Sequence, residues 1–201
     1  MKQEELNIIL ENHGKWLRDE GGERADLSNA DLKNTNLRFA NLRLAYLSNA
    51  NLRGVNLKNV DLSYANLRGA NLDNADLSYA DLSGTNLDNA DLRGVNLANA
   101  NLRYTDLRHA DLRYANLRHA NLNWVNWQHV EGLTVICVQV YTTRKNNQIA
   151  YIKELDIWIT GCFQGTLDEL KASVEQTHKH NEKLKKRYYR VIDFILNEVT
   201  E

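Results

Sequence analysis

The sequence predicts a mainly β protein: a solenoid of short repeated units, preceded by a helix and followed by a small α+β module. Three patterns in the 201-residue chain predict this. Residues 25–130 repeat every five residues, the residues before them have a helical apolar pattern, and the residues after them have strand and then helix patterns. We therefore expect three segments, residues 1–24, 25–130 and 131–201.

The N-terminal segment is predicted to be a capping helix. Apolar side chains recur on one face of residues 3–19, and Gly21 and Gly22 are expected to end the helix. Its predicted role is to cover the open edge of the first repeat unit. A partner-binding amphipathic helix is the alternative. The apolar face consists of Leu6, Ile9, Leu10, His13, Trp16 and Leu17.

The repeat has a leucine at the centre of twenty consecutive units, from Leu27 to Leu122, and Trp127 takes this place in the twenty-first. Ala, Thr or Val stands two residues before each centre, and Asp or Asn stands one residue before it, except at Tyr46. A period of five fits neither the helical period of about 3.6 nor the strand period of about 2. Each unit must therefore form one short side and then a corner.

The motif Ala-(Asp/Asn)-Leu-X-X resembles that of the pentapeptide-repeat family, and the resemblance covers about half of the chain. It implies a right-handed quadrilateral β-helix with four units per coil, in which the leucine and the small residue point inward. About five coils at a strand spacing of about 4.8 Å would form a rod roughly 25 Å long. Because each coil contacts only its neighbours, both ends of the rod need covers.

Residues twenty apart should stack along such a rod, so the outward positions describe its surface. One edge collects large side chains from two successive faces. These rings either pack on one another between coils or form a stripe that binds a partner. The predicted edge consists of Leu44, Tyr64, Tyr104 and Trp124, interrupted by Gly84, with Phe39 and Tyr79 from the preceding face.

A second set of stacked positions is mostly basic: Lys33, Arg53, Arg93 and Arg113, interrupted by Asp73. It is predicted to be a solvated face, with attraction to an acidic partner as the alternative. His109 and His129 should stack one coil apart. They lack an evident third ligand, so no metal site is predicted.

The C-terminal segment is predicted to contain three strands and two helices, with four strands as the alternative. The strands are expected at residues 133–141, 149–155 and 157–162, with a turn at 142–148. A capping box formed by Thr166 and Glu169 starts a helix that should end near His178, and Asn181 caps the second helix.

Residues 157–170 also resemble the tail of some uncharacterised bacterial and phage-type repeat proteins. This resemblance implies a bacterial or phage source and carries no activity. The last helix has a basic cluster, predicted to be solvated, with contact to nucleic acid or an acidic partner as the alternative. The cluster is Lys183, Lys185, Lys186, Arg187 and Arg190.

Composition favours a cytoplasmic protein that is not an enzyme. No apolar run reaches the roughly 18 residues of a membrane span, and the acidic N-terminus does not resemble a signal peptide. Cys137 and Cys162 are expected to be buried thiols in a reducing compartment, with a disulfide as the alternative. The sequence contains no phosphate loop, dinucleotide motif, zinc cysteine pair or nucleophile elbow, so we expect no cofactor and no metal.

The favoured function is a rigid, monomeric scaffold that binds an unidentified protein partner. The family resemblance supplies an alternative, because some members imitate duplex DNA and act on DNA gyrase. Residues 25–130 contain ten Asp and no Glu against nine Arg and two Lys, a net charge of +1. An imitation of closely spaced phosphates needs an acidic surface, so the sequence disfavours this alternative. Direct nucleic-acid binding through the basic positions is the third hypothesis and is also disfavoured.

Overall fold

The computed structural model describes residues 1–140 and 148–200, which form two compact units. The first unit, residues 1–132, contains helix α1 (Gln3–Leu17) and the repeat. The described part of the second unit, from residue 133 onward, contains four strands and two longer helices. They are β1 (Val135–Gln139), β2 (Gln148–Ile152), β3 (Ile157–Thr160), β4 (Phe163–Gly165), α2 (Leu167–Thr177) and α3 (Glu182–Thr200).

Backbone pairing shows that one coil of the repeat takes twenty residues. Parallel bridges join residues twenty apart, from Asp26 with Tyr46 to Asp111 with Glu131. Each coil therefore contains four five-residue units, as predicted. The central leucines up to residue 112 donate their N–H groups to carbonyls of the next coil, at 2.7 to 3.2 Å. Successive coils thereby satisfy one another's backbone polar groups.

A tight turn joins each unit to the next. The N–H of Ala30 donates to the carbonyl of Leu27 at 3.1 Å, and Asn29 between them has a φ of +60°. The same left-handed backbone recurs in all twenty-one units at the second outward position, which is the residue two after the central residue. The φ angle there lies between +56° and +67°. Gly and Asn adopt this conformation most easily, and they occupy eleven of the twenty-one positions.

The Asp or Asn before each leucine stabilises the side of the coil. Its side-chain oxygen accepts the N–H of the residue two further on, as Asp26 Oδ1 does from Ser28 at 3.0 Å. This bond occurs in all twenty units that have Asp or Asn. At the exception, the Tyr46 hydroxyl accepts a bond from the Arg24 guanidinium at 2.8 Å.

The central leucines fill the interior, where each is at most 1% exposed. The small residue two positions earlier leaves room for them in a narrow, closely packed coil. Two of these small positions hold fully buried threonines, Thr85 and Thr105. Their hydroxyls donate to the carbonyls of Leu62 and Leu82 at 2.8 and 2.9 Å, so the core contains these polar groups without an unmet hydrogen bond.

Helix α1 lies against the first coil, as predicted, and hydrogen bonds to its backbone. The Met1 amino group donates to the carbonyl of Asp31 at 2.7 Å. The Gln3 amide accepts the N–H of Asn36 at 2.8 Å and donates to the same residue's carbonyl at 3.3 Å. The helix ends two residues earlier than predicted, because Asp19 already has a left-handed φ of +56°.

His13 anchors the same helix more deeply. It is fully buried, and its ring bridges two backbone groups of the repeat. The N–H of Ala25 donates to Nδ1 at 3.1 Å, so Nε2 carries the proton and donates to the carbonyl of Arg43 at 3.1 Å. Burial lowers the pKa of His13 below its ordinary value. The sequence pattern placed His13 on the apolar face but did not predict this bridge.

The four strands of the second unit form one antiparallel sheet in the order β1-β2-β3-β4. The preferred prediction of three strands was wrong. Gly161 has a φ of +56° and permits a tight reversal, which ends the strand predicted at residues 157–162 after Thr160 and lets residues 163–165 pair back on it as β4. The predicted strands at residues 133–141 and 149–155 are shorter in the structure, as β1 and β2. The predicted turn at residues 142–148 lies outside the described residues except for Gln148, the first residue of β2.

Helices α2 and α3 start as predicted. The Thr166 hydroxyl accepts the N–H of Glu169 at 3.3 Å, and the Glu169 carboxylate accepts the N–H of Thr166 at 2.8 Å. Asn181 Oδ1 accepts the N–H of Leu184 at 3.1 Å. Both helices pack on the sheet around a core of buried residues, which includes Trp158, Leu170, Val174, Ile192 and Ile195.

The two cysteines differ from expectation. Cys137 in β1 and Cys162 in the reversal before β4 are both free thiols, but both are exposed rather than buried. The strand-like apolar context of Cys137 suggested burial. Burial of a strand side chain depends on which face of the sheet is covered, which a local pattern does not reveal.

Candidate functional site

The twenty-residue coil gives the rod four faces. We number them by their first central leucine: Leu27 on face 1, Leu32 on face 2, Leu37 on face 3 and Leu42 on face 4, with every twentieth residue after each. Each corner carries the left-handed residue that follows its face. Corner 3 therefore carries residues 39, 59, 79, 99 and 119, and corner 4 carries residues 44, 64, 84, 104 and 124.

Six large apolar side chains lie on corners 3 and 4, and we call them the aromatic edge. The structure thus brings all the predicted edge residues onto the two corners that border face 4. Four of the six are more than half exposed, with values from 55% for Tyr79 to 64% for Phe39. The aromatic edge consists of Phe39, Leu44, Tyr64, Tyr79, Tyr104 and Trp124.

The rings of corner 4 also pack along the rod. Tyr104 and Trp124 are stacked, with ring centroids 6.1 Å apart and planes inclined by 10°. Tyr64 lies over Gly84, where an added Cβ atom would meet the Tyr64 ring at 2.6 Å. Both predicted alternatives therefore have a structural basis, because the rings pack between coils and still expose much of their surface.

The backbone beneath the aromatic edge is unfavourable for large side chains. Seven of the twenty-one left-handed positions hold large apolar or aromatic residues, and six of these seven form the aromatic edge. A side chain with a Cβ atom costs roughly 1–2 kcal/mol in this conformation. Gly or Asn would adopt this backbone conformation at a lower cost. Strain of this kind is typical of functional sites. The seventh residue, Tyr114, lies alone on corner 2 and is 92% exposed.

Three rings of the aromatic edge have a cation against them. Arg38 lies 4.7 Å from the Phe39 ring centroid, and Arg103 lies 5.4 Å from that of Tyr104. Lys58 lies 5.4 Å from the Tyr79 ring. The sequence patterns did not predict these cation contacts, although Arg38 and Arg103 directly precede the rings that they contact. The adjacent pairs in the sequence were the signal that could have identified them.

The predicted basic positions lie together on face 2, but carboxylates neutralise them. Arg53 pairs with Asp73 at 2.9 Å, and Lys33 lies 3.7 Å from Asp31. Arg93 and Arg113 pair with the aspartates that precede their own leucines, at 2.6 and 2.5 Å. The hydrogen bonds from Arg93 and Arg113 lower the pKa of Asp91 and Asp111, respectively. Face 2 is therefore a network of ion pairs rather than a basic surface.

Ion pairing divides the rod into two halves. In residues 25–131, all of which the structure describes, every ion pair lies on faces 1 and 2. Faces 3 and 4, which border the aromatic edge, carry five cations that take part in none of these pairs. They are Arg38, Arg43, Lys58, Arg103 and Arg118. The only buried side-chain polar atom without a hydrogen bond among the described residues is Nε of Arg103.

The stacked histidines lie where they were predicted. The ring centroids of His109 and His129 are 5.0 Å apart, and Nδ1 of His109 lies 3.1 Å from a carboxylate oxygen of Asp88. The hydrogen bond from His109 lowers the pKa of Asp88. No cluster of three or more metal-ligating side chains occurs among the described residues. This pair is a contact between coils on corner 1, and it lies next to the level of the Tyr104–Trp124 stack along the rod.

The basic cluster of α3 contains at least one neutralised member. Lys185 lies 3.2 Å from Glu175 and 2.5 Å from Glu182. No helix among the described residues is long and apolar enough to cross a membrane.

The coil length, the inward leucines and the left-handed corners define a β-helical solenoid protein. A sequence model of pentapeptide repeats matches residues 23–59, 56–94 and 90–126 in eight copies, which together span just over half of the chain. The chain belongs to the pentapeptide-repeat family. Membership implies that its β-helix is right-handed.

Solved structures of other family members are similar in part. A thylakoid-lumen protein of Arabidopsis thaliana is 30% identical over 46% of this chain and 65% of its own, with a TM-score of 0.45. HetL of Nostoc sp. strain PCC 7120, involved in heterocyst differentiation regulation, is 32% identical over 55% and 63%, with a TM-score of 0.32. QnrB1, a plasmid-mediated fluoroquinolone resistance protein, is 19% identical over 57% and 68%, with a TM-score of 0.25. This chain spans less than two thirds of the first two proteins, and no match among curated proteins was found.

Proposed function

We propose that this protein is a non-enzymatic scaffold whose repeat rod binds another protein along the aromatic edge. The observation that carries the proposal is the division of the rod into an ion-paired half and an aromatic half. Faces 1 and 2 pair all of their charges except that of Asp26, whereas corners 3 and 4 present exposed rings on a left-handed backbone that disfavours them. Aromatic and arginine side chains are the residues that most often dominate the binding energy of protein interfaces.

The rod also suits binding because it is rigid. Hydrogen bonds between coils fix the backbone beneath each ring, and the Tyr104–Trp124 stack restricts both side chains before a partner arrives. Little side-chain entropy is then lost on association, which favours affinity. In this proposal the protein acts as a monomer in the cytoplasm and needs no cofactor. The two free, exposed thiols fit a reducing compartment.

The test replaces Tyr104 and Trp124 together with asparagine, which already occupies seven of the left-handed positions. The matched control replaces His109 and His129 with asparagine, because this stacked pair lies on another corner at the adjacent level of the rod. Cross-linking followed by quantitative mass spectrometry compares the proteins captured by each variant in cells that express the protein naturally.

We expect the edge variant to lose specific proteins that the wild type and the histidine control retain. Identical sets of captured proteins for all three, with native circular dichroism spectra, would remove the aromatic edge as the binding site.

Imitation of duplex DNA receives no support from this surface. The likeness to QnrB1, at 19% identity and a TM-score of 0.25, carries no argument for a shared role. Apart from Asp26, the carboxylates on faces 1 and 2 are paired with arginine, lysine or histidine, so they do not form the continuous acidic surface that would reproduce phosphates.

A further inference from the structure

We infer that the aromatic edge accepts an acidic amphipathic helix of its partner, laid lengthwise over face 4. The inference rests on the proposed function and adds the chemistry and the secondary structure of the bound segment. It follows from the staggering of the rings, the rise of the coils and the unpaired cations beside the rings.

The rings alternate between the two corners that border face 4. Phe39 is on corner 3, Tyr64 is on corner 4 of the next coil, Tyr79 returns to corner 3, and Tyr104 returns to corner 4. In the second, third and fourth coils, the corner across face 4 from the ring carries Asn59, Gly84 and Asn99, respectively. The rings therefore form two staggered walls along face 4.

Face 4, between these walls, has short side chains in its central coils and a cation on either side of them. The residue directly after the central leucine, the first outward position, is Ser63 and then Ser83 in the central coils, and Ser63 is only 6% exposed. Arg43 and Arg103 occupy the same position on either side of the two serines. A cylindrical segment can thus lie over the serines, between the rings, with a cation near each end.

The spacing of the levels favours a helix as the segment. Coils rise by the spacing of paired strands, about 4.8 Å, and one helical turn rises about 5.4 Å. Three helical turns are only about 2 Å longer than three coil spacings, so one side chain per turn can insert between successive rings. Residues on the same side of an extended strand repeat at about 6.8 Å and lose this register within two coils.

The charges favour an acidic helix. The cations of Arg38, Lys58 and Arg103 lie against rings of the aromatic edge and have no carboxylate partner within ion-pair distance. Glutamate or aspartate residues flanking the apolar stripe of a helix would pair with them. Burial of the rings by the partner would remove water from these pairs and strengthen them.

The same charges favour protein over nucleic acid. Faces 3 and 4 carry five cations against three carboxylates, Asp61, Asp76 and Asp81. This excess of two is small beside duplex DNA, which carries one negative charge per roughly 1.7 Å of its axis. A helix with a few acidic residues matches the excess more closely.

The test uses the full chain to select from a displayed library of random peptides about 20 residues long, roughly the length needed to span the edge. Peptides that also bind the triple variant Tyr64→Asn, Tyr104→Asn, Trp124→Asn are discarded. Binding of the remaining peptides, and of a single-stranded oligonucleotide as the nucleic-acid probe, is measured by fluorescence anisotropy. Circular dichroism measures the helicity gained on binding.

We expect edge-dependent peptides with apolar residues at helical spacing, flanking acidic residues and a gain in helicity. The triple variant Arg38→Gln, Lys58→Gln, Arg103→Gln should weaken them about tenfold. The matched triple variant Lys33→Gln, Arg53→Gln, Arg93→Gln removes the same charges from face 2 and should weaken them less than about threefold.

Several outcomes would overturn the inference. These are edge-dependent peptides that are extended or basic, equal effects of the two triple variants, edge-dependent binding of the oligonucleotide alone, or no edge-dependent peptide. If the asparagine variants of the edge still lose captured proteins, the proposed function stands while the helical partner is withdrawn. If the captured proteins do not change, the proposed function itself fails.

Discussion

Tyr64 and Gly84 occupy the same corner in successive coils, and the ring of Tyr64 fills the space that a side chain at Gly84 would take. Gly84 has a φ of +67°, which asparagine also adopts elsewhere in the rod. The conformation therefore does not require glycine at this position. The contact with Tyr64 supplies the physical reason for its presence.

Gly84→Asn should displace the Tyr64 ring and destabilise the rod by about 1–3 kcal/mol, the usual range for an overpacked site. Thermal unfolding measures the loss. The control is Gly54→Asn, because Gly54 has a similar φ of +66° and an added Cβ atom there meets nothing within 4 Å. The control should change stability by less than about 1 kcal/mol. Equal effects of the two substitutions would contradict the described contact.

Replacement of Tyr104 and Trp124 with asparagine should change the free energy of unfolding by less than about 1.5 kcal/mol. Loss of the stack removes about 0.5–1.5 kcal/mol, and relief of the left-handed strain opposes that loss. Denaturant unfolding measures the difference, with His109→Asn, His129→Asn as the control. A destabilisation of several kcal/mol would indicate that these rings serve mainly to hold the coils together.

His13 should make the stability of the first unit depend on pH. Burial lowers the pKa of His13 in the folded chain below its ordinary value of 6.5, so the unfolded chain binds a proton that the folded chain excludes. Stability should therefore be full above that value and fall as the pH drops through 6.5. The protonated ring also cannot accept the N–H of Ala25.

Unfolding of the wild type and of His13→Gln at about pH 7.5 and about pH 5.5 measures this effect, since the carboxylates titrate mostly at lower pH. We expect the substitution to destabilise the protein at the higher pH and to reduce the difference between the two values. An unchanged pH dependence in His13→Gln would place the titrating group elsewhere.

The protein should neither inhibit DNA gyrase nor protect it from quinolones at micromolar concentration. The repeat has a net charge of +1, and ion pairs neutralise faces 1 and 2. A supercoiling assay with purified gyrase tests the expectation, and a gyrase-directed family member serves as the positive control. Inhibition that persists in the asparagine variant of Tyr104 and Trp124 would show a gyrase contact outside the aromatic edge.

Local sequence predicted several elements correctly because their signals act over a few residues. The capping box of Thr166 and Glu169 and the cap at Asn181 are examples, since each involves atoms within one helical turn. The strand count was wrong because a reversal at Gly161 competes with continuation of the strand. A single glycine in an apolar run signals either a bulge or a turn.

The sequence by itself determined the five-residue unit and its inward leucines, and the resemblance to the pentapeptide-repeat family implied the twenty-residue coil and which residues share a corner. A five-residue period requires each unit to form one side and one corner, and the bridges between residues twenty apart and the buried leucines agree with the coil that the resemblance implied. Only the tertiary structure decided which charges are neutralised. Lys33, Arg53, Arg38 and Arg103 occupy equivalent positions in their units, but only the first two have a carboxylate within reach. Ion pairing depends on distances between side chains, which the repeat does not encode.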